Sequence, residues 1–243
     1  MNRSKAQGAV LAERQRIRVE YRRRAEQDSG LYAPWQPAEI FFKNGRKAIA
    51  ATMLNEAGVF PRTGDTCLEV GCGSGGWLAD LISWGVRDVD LHGIDIDALR
   101  IRRAKEILPA ADLRVGDAAE LPWHDDTFHG VIASTLFTSV LDRDVRALIA
   151  AEIVRVLAPG GALLWYDFAY DNPQNPHVRG IGKSEIAELF PQLVGNIRSV
   201  TLAPPLARLI VPRSWALATL LEAIPFLRTH LLAVLVKPES VRE

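Results

Sequence analysis

The periodicity of apolar positions changes near residue 60. Before it, apolar side chains recur at helical spacing, and residues 8–27 and 39–57 read as helices, the second stopped by Gly58 and Pro61. Asp28-Ser29-Gly30, Pro34 and Pro37 make a loop between them that carries Tyr32 and Trp35. After it, short apolar runs at 66–70, 90–94, 113–115, 130–134 and 162–167 alternate with helical patterns at 75–84, 97–108 and 143–157. Such alternation predicts an α/β fold, a doubly wound sheet with helices on both faces. Right-handed crossovers then bring the strand C-termini to one edge, where ligands bind.

The tail is patterned differently. Residues 171–176 are turn-rich, 183–190 read as a short helix and 197–202 as a strand, and 230–236 form a last leucine-rich strand. Residues 203–227 are apolar and hold four prolines; Leu206, Leu209, Ile210, Trp215, Leu217, Leu220, Leu221 and Ile224 supply more apolar surface than a connection needs. The plain expectation is a helical lid buried on the core. The sharper one is a cover for a lipid-like acceptor that touches a membrane, with Arg208, Arg213 and Arg228 at headgroup level.

Composition narrows the class. The chain has 243 residues, 48% of them hydrophobic, enough for one domain with appendages. Its 29 basic and 29 acidic residues balance, which argues against nucleic acid as a partner. Arg14, Arg16, Arg18, Arg22, Arg23 and Arg24 crowd the first helix and read as a solvated face, with a phosphate-bearing substrate or anionic surface as the alternative. Cys67 and Cys72 lack metal-ligand partners at useful spacing and lie too close for an ordinary bridge, so no metal is expected and a reducing cytoplasm fits. Met1–Glu20 is too polar for a leader, and no run of about 20 apolar residues predicts a transmembrane helix.

The candidate chemistry starts at Leu68-Glu69-Val70-Gly71-Cys72-Gly73-Ser74-Gly75-Gly76-Trp77. A strand breaks at glycines, where a ligand can lie against bare backbone, and Glu69 stands just before the turn. Gly71, Gly73 and Gly76 also satisfy the dinucleotide spacing, but a carboxylate at position 69 would repel a pyrophosphate. Asp95 ends the next strand about 24 residues beyond Gly71, where an acid meets ribose hydroxyls. Asp117 follows the third strand and Ser134 ends the fourth. One acid after a strand is commonly a turn or cap residue; three in register point to a shared ligand.

The run 68–75 resembles the first motif of class I S-adenosylmethionine-dependent methyltransferases, in their small single-domain subgroup. Gly93-Ile94-Asp95 resembles their ribose motif. Gly116-Asp117-Ala118-Ala119-Glu120-Leu121-Pro122-Trp123 with Asp126-Thr127-Phe128 resembles their adenine loop and fourth strand, and 155–161 the turn before the fifth. The resemblance spans about residues 64–168. It implies a Rossmann-like sheet of seven strands, mostly parallel with the last antiparallel, and S-adenosyl-L-methionine as cofactor. It also implies that Glu69 holds the methionine amino group, that Gly71, Gly73 and Gly75 let the methionine lie on backbone, and that Asp95 takes the ribose. Asp117 and Ala118 frame the adenine, Ile96 packs on it, and Ser134 sits near the methionine carboxylate and sulfonium. His129 departs from the family, where Asp is common, and reads as structural.

The resulting division is a helical cap over 1–60 and a methyltransferase domain over 61–243, with a substrate-side loop 168–183 and the apolar lid 203–227. Tyr166, Asp167 and His177 are the candidate catalytic side chains, each with a packing, capping or solvated-loop alternative. The expected reaction is O-methylation of a small-molecule, glycan or lipid-like acceptor. The alternatives are an RNA or protein methyltransferase, for which the arginine cluster is the support, and a non-catalytic relative. Ser134-Thr135-Leu136-Phe137 stands where amide-methylating relatives carry an Asn-Pro-Pro-Tyr-like sequence.

Overall fold

The structure, a computed structural model, describes residues 3–26, 30, 32–172 and 175–239, with first-helix side chains from Gly8 to Arg23. Helices α1 (Arg3–Glu26) and α2 (Pro37–Glu56) lead into alternating β1 (Cys67–Val70), α3 (Gly76–Ser83), β2 (Leu91–Asp95), α4 (Ala98–Ile107) and β3 (Asp112–Val115). Then come β4 (Phe128–Ser134), α5 (Arg143–Val156), β5 (Leu157–Phe168), α6 (Lys183–Leu189), β6 (Val194–Leu202), α7 (Pro204–Ile210), α8 (Trp215–Glu222) and β7 (Arg228–Val236). The strand order is β3-β2-β1-β4-β5-β7-β6. Only β7 runs antiparallel, against β5 and β6, as the sequence predicts.

Local chemistry starts and stops these elements. Asp97 caps α4 by accepting from the Leu99 and Arg100 amides, and Asp142 caps α5 by accepting from those of Asp144 and Val145. Pro37 opens α2, where a missing N–H costs nothing. Strand side chains alternate between two cores. Leu68, Val70, Leu163 and Trp165 pack with α5, α6 and the α1 residues Val10 and Ile17. Cys67, Leu164 and Tyr166 face the opposite core with α2, α3 and α4.

Two boundaries differ from the expected ones. Strand β5 begins at Leu157, not 162, but its pairing with β4 steps from Phe128–Leu157 to Gly130–Ala162, so residues 158–161 bulge out with Gly160 at φ +76°. The Gly160 amide donates to the Lys237 carbonyl and the Lys237 amide to Gly161, so the ladder continues through a sequence that reads as a turn. The lid is the second. Ala207, Val211 and Ala218 are buried against Phe41 and Leu202, while Leu209, Trp215, Leu217, Leu220 and Phe226 stand exposed. Among the described residues, no helix is long and apolar enough to cross a membrane.

The turn after β4 is held by Phe137, which is fully buried with its ring 6.1 Å from Trp165 and 5.8 Å from Phe190. Phe137→Ala should cost about 3–5 kcal/mol of stability through the cavity it leaves. Chemical denaturation checks this; a loss under about 1 kcal/mol would mean that the turn does not depend on that packing.

Candidate active site

The glycine turn is pinned from the neighbouring strand. The Gly71 and Cys72 amides donate to the Ile94 carbonyl at 2.8 and 3.0 Å, and the Gly73 amide donates to Asp95 Oδ2 at 2.8 Å. The other Asp95 oxygen accepts from the Asp97 amide at 2.9 Å, so this buried carboxylate joins two loops at the sheet edge. Gly73 has φ +53°, and a Cβ there would lie 2.6 Å from the Arg100 guanidinium. That guanidinium sits 3.8 Å from Asp95 and 5.0 Å from the Tyr21 ring of α1. Gly75 serves packing instead: its Cβ would meet Leu108 at 2.9 Å, so a bare backbone lets α3 start against α4.

A half-open cavity lies beside the turn. Gly71, Asp95, Ile96, Asp117 and Ala118 line it on the sheet side. Val10, Ile17 and Tyr21 of α1 close it from above. The first helix is therefore no plain solvated face. Arg18 reaches the Ile96 carbonyl at 3.5 Å, Arg16 reaches that of Ser139, and Glu13 accepts from the Leu141 amide. Asp117 also caps its own loop by accepting from the Ala119 amide at 3.0 Å. The Arg24 side chain lies outside the described residues.

Glu69 stands apart from this cavity and faces the α2 core. It is buried, its Oε2 has no hydrogen-bond partner, and burial pushes its carboxyl from an ordinary 4.5 up to about 8. Arg46 of α2 is the nearest counterweight, and Asp95 and Arg100 are close enough to act on it as well. The Arg46 guanidinium lies 4.7 Å from the Trp77 ring and 5.7 Å from the Tyr166 ring. Arg46 Nε and Trp77 Nε1 are buried without partners. Buried polar atoms left unpaired in a cluster are the signature of a missing ligand. Arg46 escaped the sequence reading because a lone arginine on a helix looks solvated. Ser134 is buried at the end of β4, and Thr135 after it has φ +51°.

The three candidate catalytic side chains do not converge. Tyr166 and Asp167 are neighbours on β5 and point to opposite faces. The buried Asp167 carboxylate accepts from the Thr138 amide at 3.1 Å, the Thr138 hydroxyl and the Phe168 amide, and burial lifts it to about 6. His177 is half-exposed, 3.5 Å from Glu20 of α1. Tyr166 shares a 2.9 Å hydrogen bond with Thr201, a β-branched residue held at φ +65°. His230 stacks on the Tyr166 ring at 4.9 Å and is pushed down to about 3 by burial and then by Arg46. His230 was legible only as the first residue of a strand. His129 accepts from the Thr66 amide at 3.2 Å, a structural contact. Cys67 and Cys72 are free and buried, and burial pushes both thiols up, which silences them as nucleophiles.

The family model for a methyltransferase domain matches residues 67–161. Norajmaline N-methyltransferase of Rauvolfia serpentina is 30% identical over 59% of this chain and 51% of its own length. Phthiotriol/phenolphthiotriol dimycocerosates methyltransferase 1 of Mycobacterium ulcerans is 33% identical over 55% of this chain and 44% of its own. The chain thus spans about half the length of the curated relatives it matches. Geranyl diphosphate C-methyltransferase of Streptomyces coelicolor, solved with Mg2+, geranyl diphosphate and S-adenosyl-L-homocysteine, superposes with a TM-score of 0.58 at 16% identity, covering 79% of this chain and 80% of that one. With the sheet order and the pinned glycine turn, these matches define a class: residues 67–161 match a methyltransferase domain, and the chain is similar to class I S-adenosylmethionine-dependent methyltransferases. The cofactor of that class fits the residues present. An orphaned carboxyl and guanidinium suit an amino acid's charged ends, and an acid-lined cavity suits a nucleoside without phosphates.

Because the folded state prefers Glu69 protonated, its contribution to ligand-free stability is complete below pH 4.5 and fades as pH rises to about 8. Glu69→Gln should flatten that decline and make the apo protein the more stable of the two above pH 8. Thermal melts across this range check it; parallel curves would refute a desolvated carboxyl.

Proposed function

We propose that the protein methylates a hydroxyl group of a small, lipid-linked or glycan-like acceptor, using S-adenosyl-L-methionine. The observation that carries this reading is the buried Glu69 carboxyl, one oxygen unpaired, facing Arg46 on one side of the glycine turn, with the cavity lined by Asp95 and Asp117 on the other. When bound, the cofactor supplies an electrophilic methyl group on a positively charged sulfur. Glu69 would hold its ammonium, and Arg46 its carboxylate. Asp95 would take the ribose hydroxyls, Ile96, Asp117 and Ala118 the adenine, and Ser134 would stand at the methionine end. Gly71 and Gly73 leave the backbone bare for the ligand, and Gly75 keeps that turn seated. Ile17 and Tyr21 exclude water from above.

An oxygen acceptor must lose a proton, and the buried cluster beyond Arg46 offers neutral groups that can hold its hydroxyl while the proton leaves to water. His230 stays neutral above about pH 3 because its buried site disfavours the cation, so its ring is a weak base and serves to orient the acceptor hydroxyl by hydrogen bonding. Burial raises the Tyr166 phenol to about 12, so it stays a hydrogen-bond donor that can orient the acceptor. Asp167 acts as a positioning residue through the Thr138 turn. His177, on the α1 side, is assigned to steering at the entrance. The relatives' names include an N-methyltransferase and a C-methyltransferase, so the choice of oxygen rests on the hydrogen-bonding groups Tyr166, Thr201 and His230 gathered beyond Arg46.

Calorimetry with S-adenosylhomocysteine tests the cofactor half. We expect binding, weakened at least about tenfold by Asp95→Ala through loss of a charge-assisted hydrogen bond. A folded protein that binds none would end the proposal. Labelled-methyl incorporation into a panel of hydroxylated lipids, phenols and sugars tests the other half. His230→Gln should lower turnover by about 100-fold through misplacement of the acceptor while sparing S-adenosylhomocysteine affinity. Unchanged turnover would remove His230 from the orientation of the acceptor.

A further inference from the structure

The segment between β6 and β7 crosses the edge of the sheet at which the parallel strands end, because β6 leaves it at Leu202 and β7 re-enters at Arg228. One side of the segment closes the small core around Phe41. The other has no cover. Leu220 is 68% exposed and Phe226 82%, with Leu209, Trp215 and Leu217 between 45% and 58%. The patch extends onto the turn before α2: the Arg208 guanidinium lies 5.2 Å from the Tyr32 ring, and the Trp215 ring meets Phe41 edge-on at 5.5 Å. So many large apolar groups gathered on one outcrop exceed the scattered surface leucines of ordinary proteins.

Its charge identifies the partner. Residues 203–228 hold Arg208, Arg213 and Arg228 and a single acid, Glu222; Arg208 also lies 3.8 Å from Glu39 of α2, and Arg228 donates to the Ser199, Glu222 and Ala223 carbonyls. Glu222 turns inward, accepting from the Leu202 amide at 3.1 Å. Exposed Arg213, in the turn after α7, donates to the Leu209 carbonyl instead of a carboxylate. Three arginines against Glu39 and Glu222 leave this part of a neutral chain with a net positive charge, and among the described residues Arg213 and Arg228 meet backbone carbonyls and no carboxylate. A second copy docked by two-fold symmetry would set this patch against itself, cation facing cation. A surface of anionic lipid satisfies both features: acyl chains receive Leu220 and Phe226, headgroups meet Arg213, and Trp215 and Tyr32 suit the boundary.

We propose that the α7–α8 outcrop docks the protein on an anionic bilayer, placing the acceptor end of the site at the lipid surface. The placement of the acceptor rests on the lipid-linked reading of the substrate; the docking itself does not. The test is co-flotation of the full chain with phosphatidylcholine vesicles, with and without phosphatidylglycerol. Partition should be at least about tenfold stronger to the anionic vesicles and should fall as salt rises. The double variant Leu220→Ser, Phe226→Ser should lose about tenfold in partition, with S-adenosylhomocysteine affinity intact as proof of folding. No flotation overturns the proposal, as does flotation unaffected by the double variant. A concentration-dependent dimer in light scattering that the variant abolishes overturns it in favour of a second copy. Flotation without methyl incorporation supports the docking face and counts against the transfer reading alone.

Discussion

A carboxyl group taken out of water with only one of its oxygens paired sets the terms for this molecule. Glu69 sits at the end of β1 with one oxygen unpaired, and the protein raises its affinity for a proton instead of satisfying it. Desolvation of that kind is costly, and a fold tolerates it where something else completes the site. Arg46 answers only in part, because its guanidinium lies against aromatic rings and leaves its own Nε orphaned. Two opposite charges, both under-satisfied and both near the glycine turn, describe the two ends of an amino acid in negative relief.

The strand period distributes the remaining chemistry. Since successive side chains on β5 alternate, Tyr166 faces the α2 core with Arg46 and His230, and Asp167 faces the α5 core and ties down the Thr138 turn. Backbone strain follows the same division. Thr135 and Thr201, both β-branched and both left-handed, lie at or just past the ends of β4 and β6 and flank the Tyr166 cluster. Each such residue costs of the order of 1–3 kcal/mol, which the surrounding core must offset. The adenosine side is built otherwise, from an apolar cavity roofed by α1.

Legibility in the sequence followed range. The strands and helices from β1 to α5 were readable because apolar period, caps and glycines are local signals, and Asp95, Ile96, Asp117 and Ala118 came with them to one cavity. The start of β5 was legible only in part: Pro159-Gly160-Gly161 does turn the chain, as a bulge, and the ladder to Lys237 makes that bulge part of the strand. Arg46 and His230 carry no local mark; their roles depend on α2 lying over β1 and on β7 inserting between β5 and β6. The facing of Asp167 was available from alternation alone, but its Thr138 partners were not. The lid was half legible: its apolar excess was visible, and its division into a buried and an open face was not.

The ionisation of Glu69 tests the account most directly. Carbon-13 NMR of glutamate carboxyls, assigned with Glu69→Gln, reads its titration without an acceptor. Ligand-free, that carboxyl should titrate near 8, and with S-adenosylhomocysteine bound it should remain ionised through neutral pH, because the ligand's ammonium supplies the missing partner. A Glu69 that titrates in the ordinary carboxylate range and ignores the ligand would contradict the site as a whole.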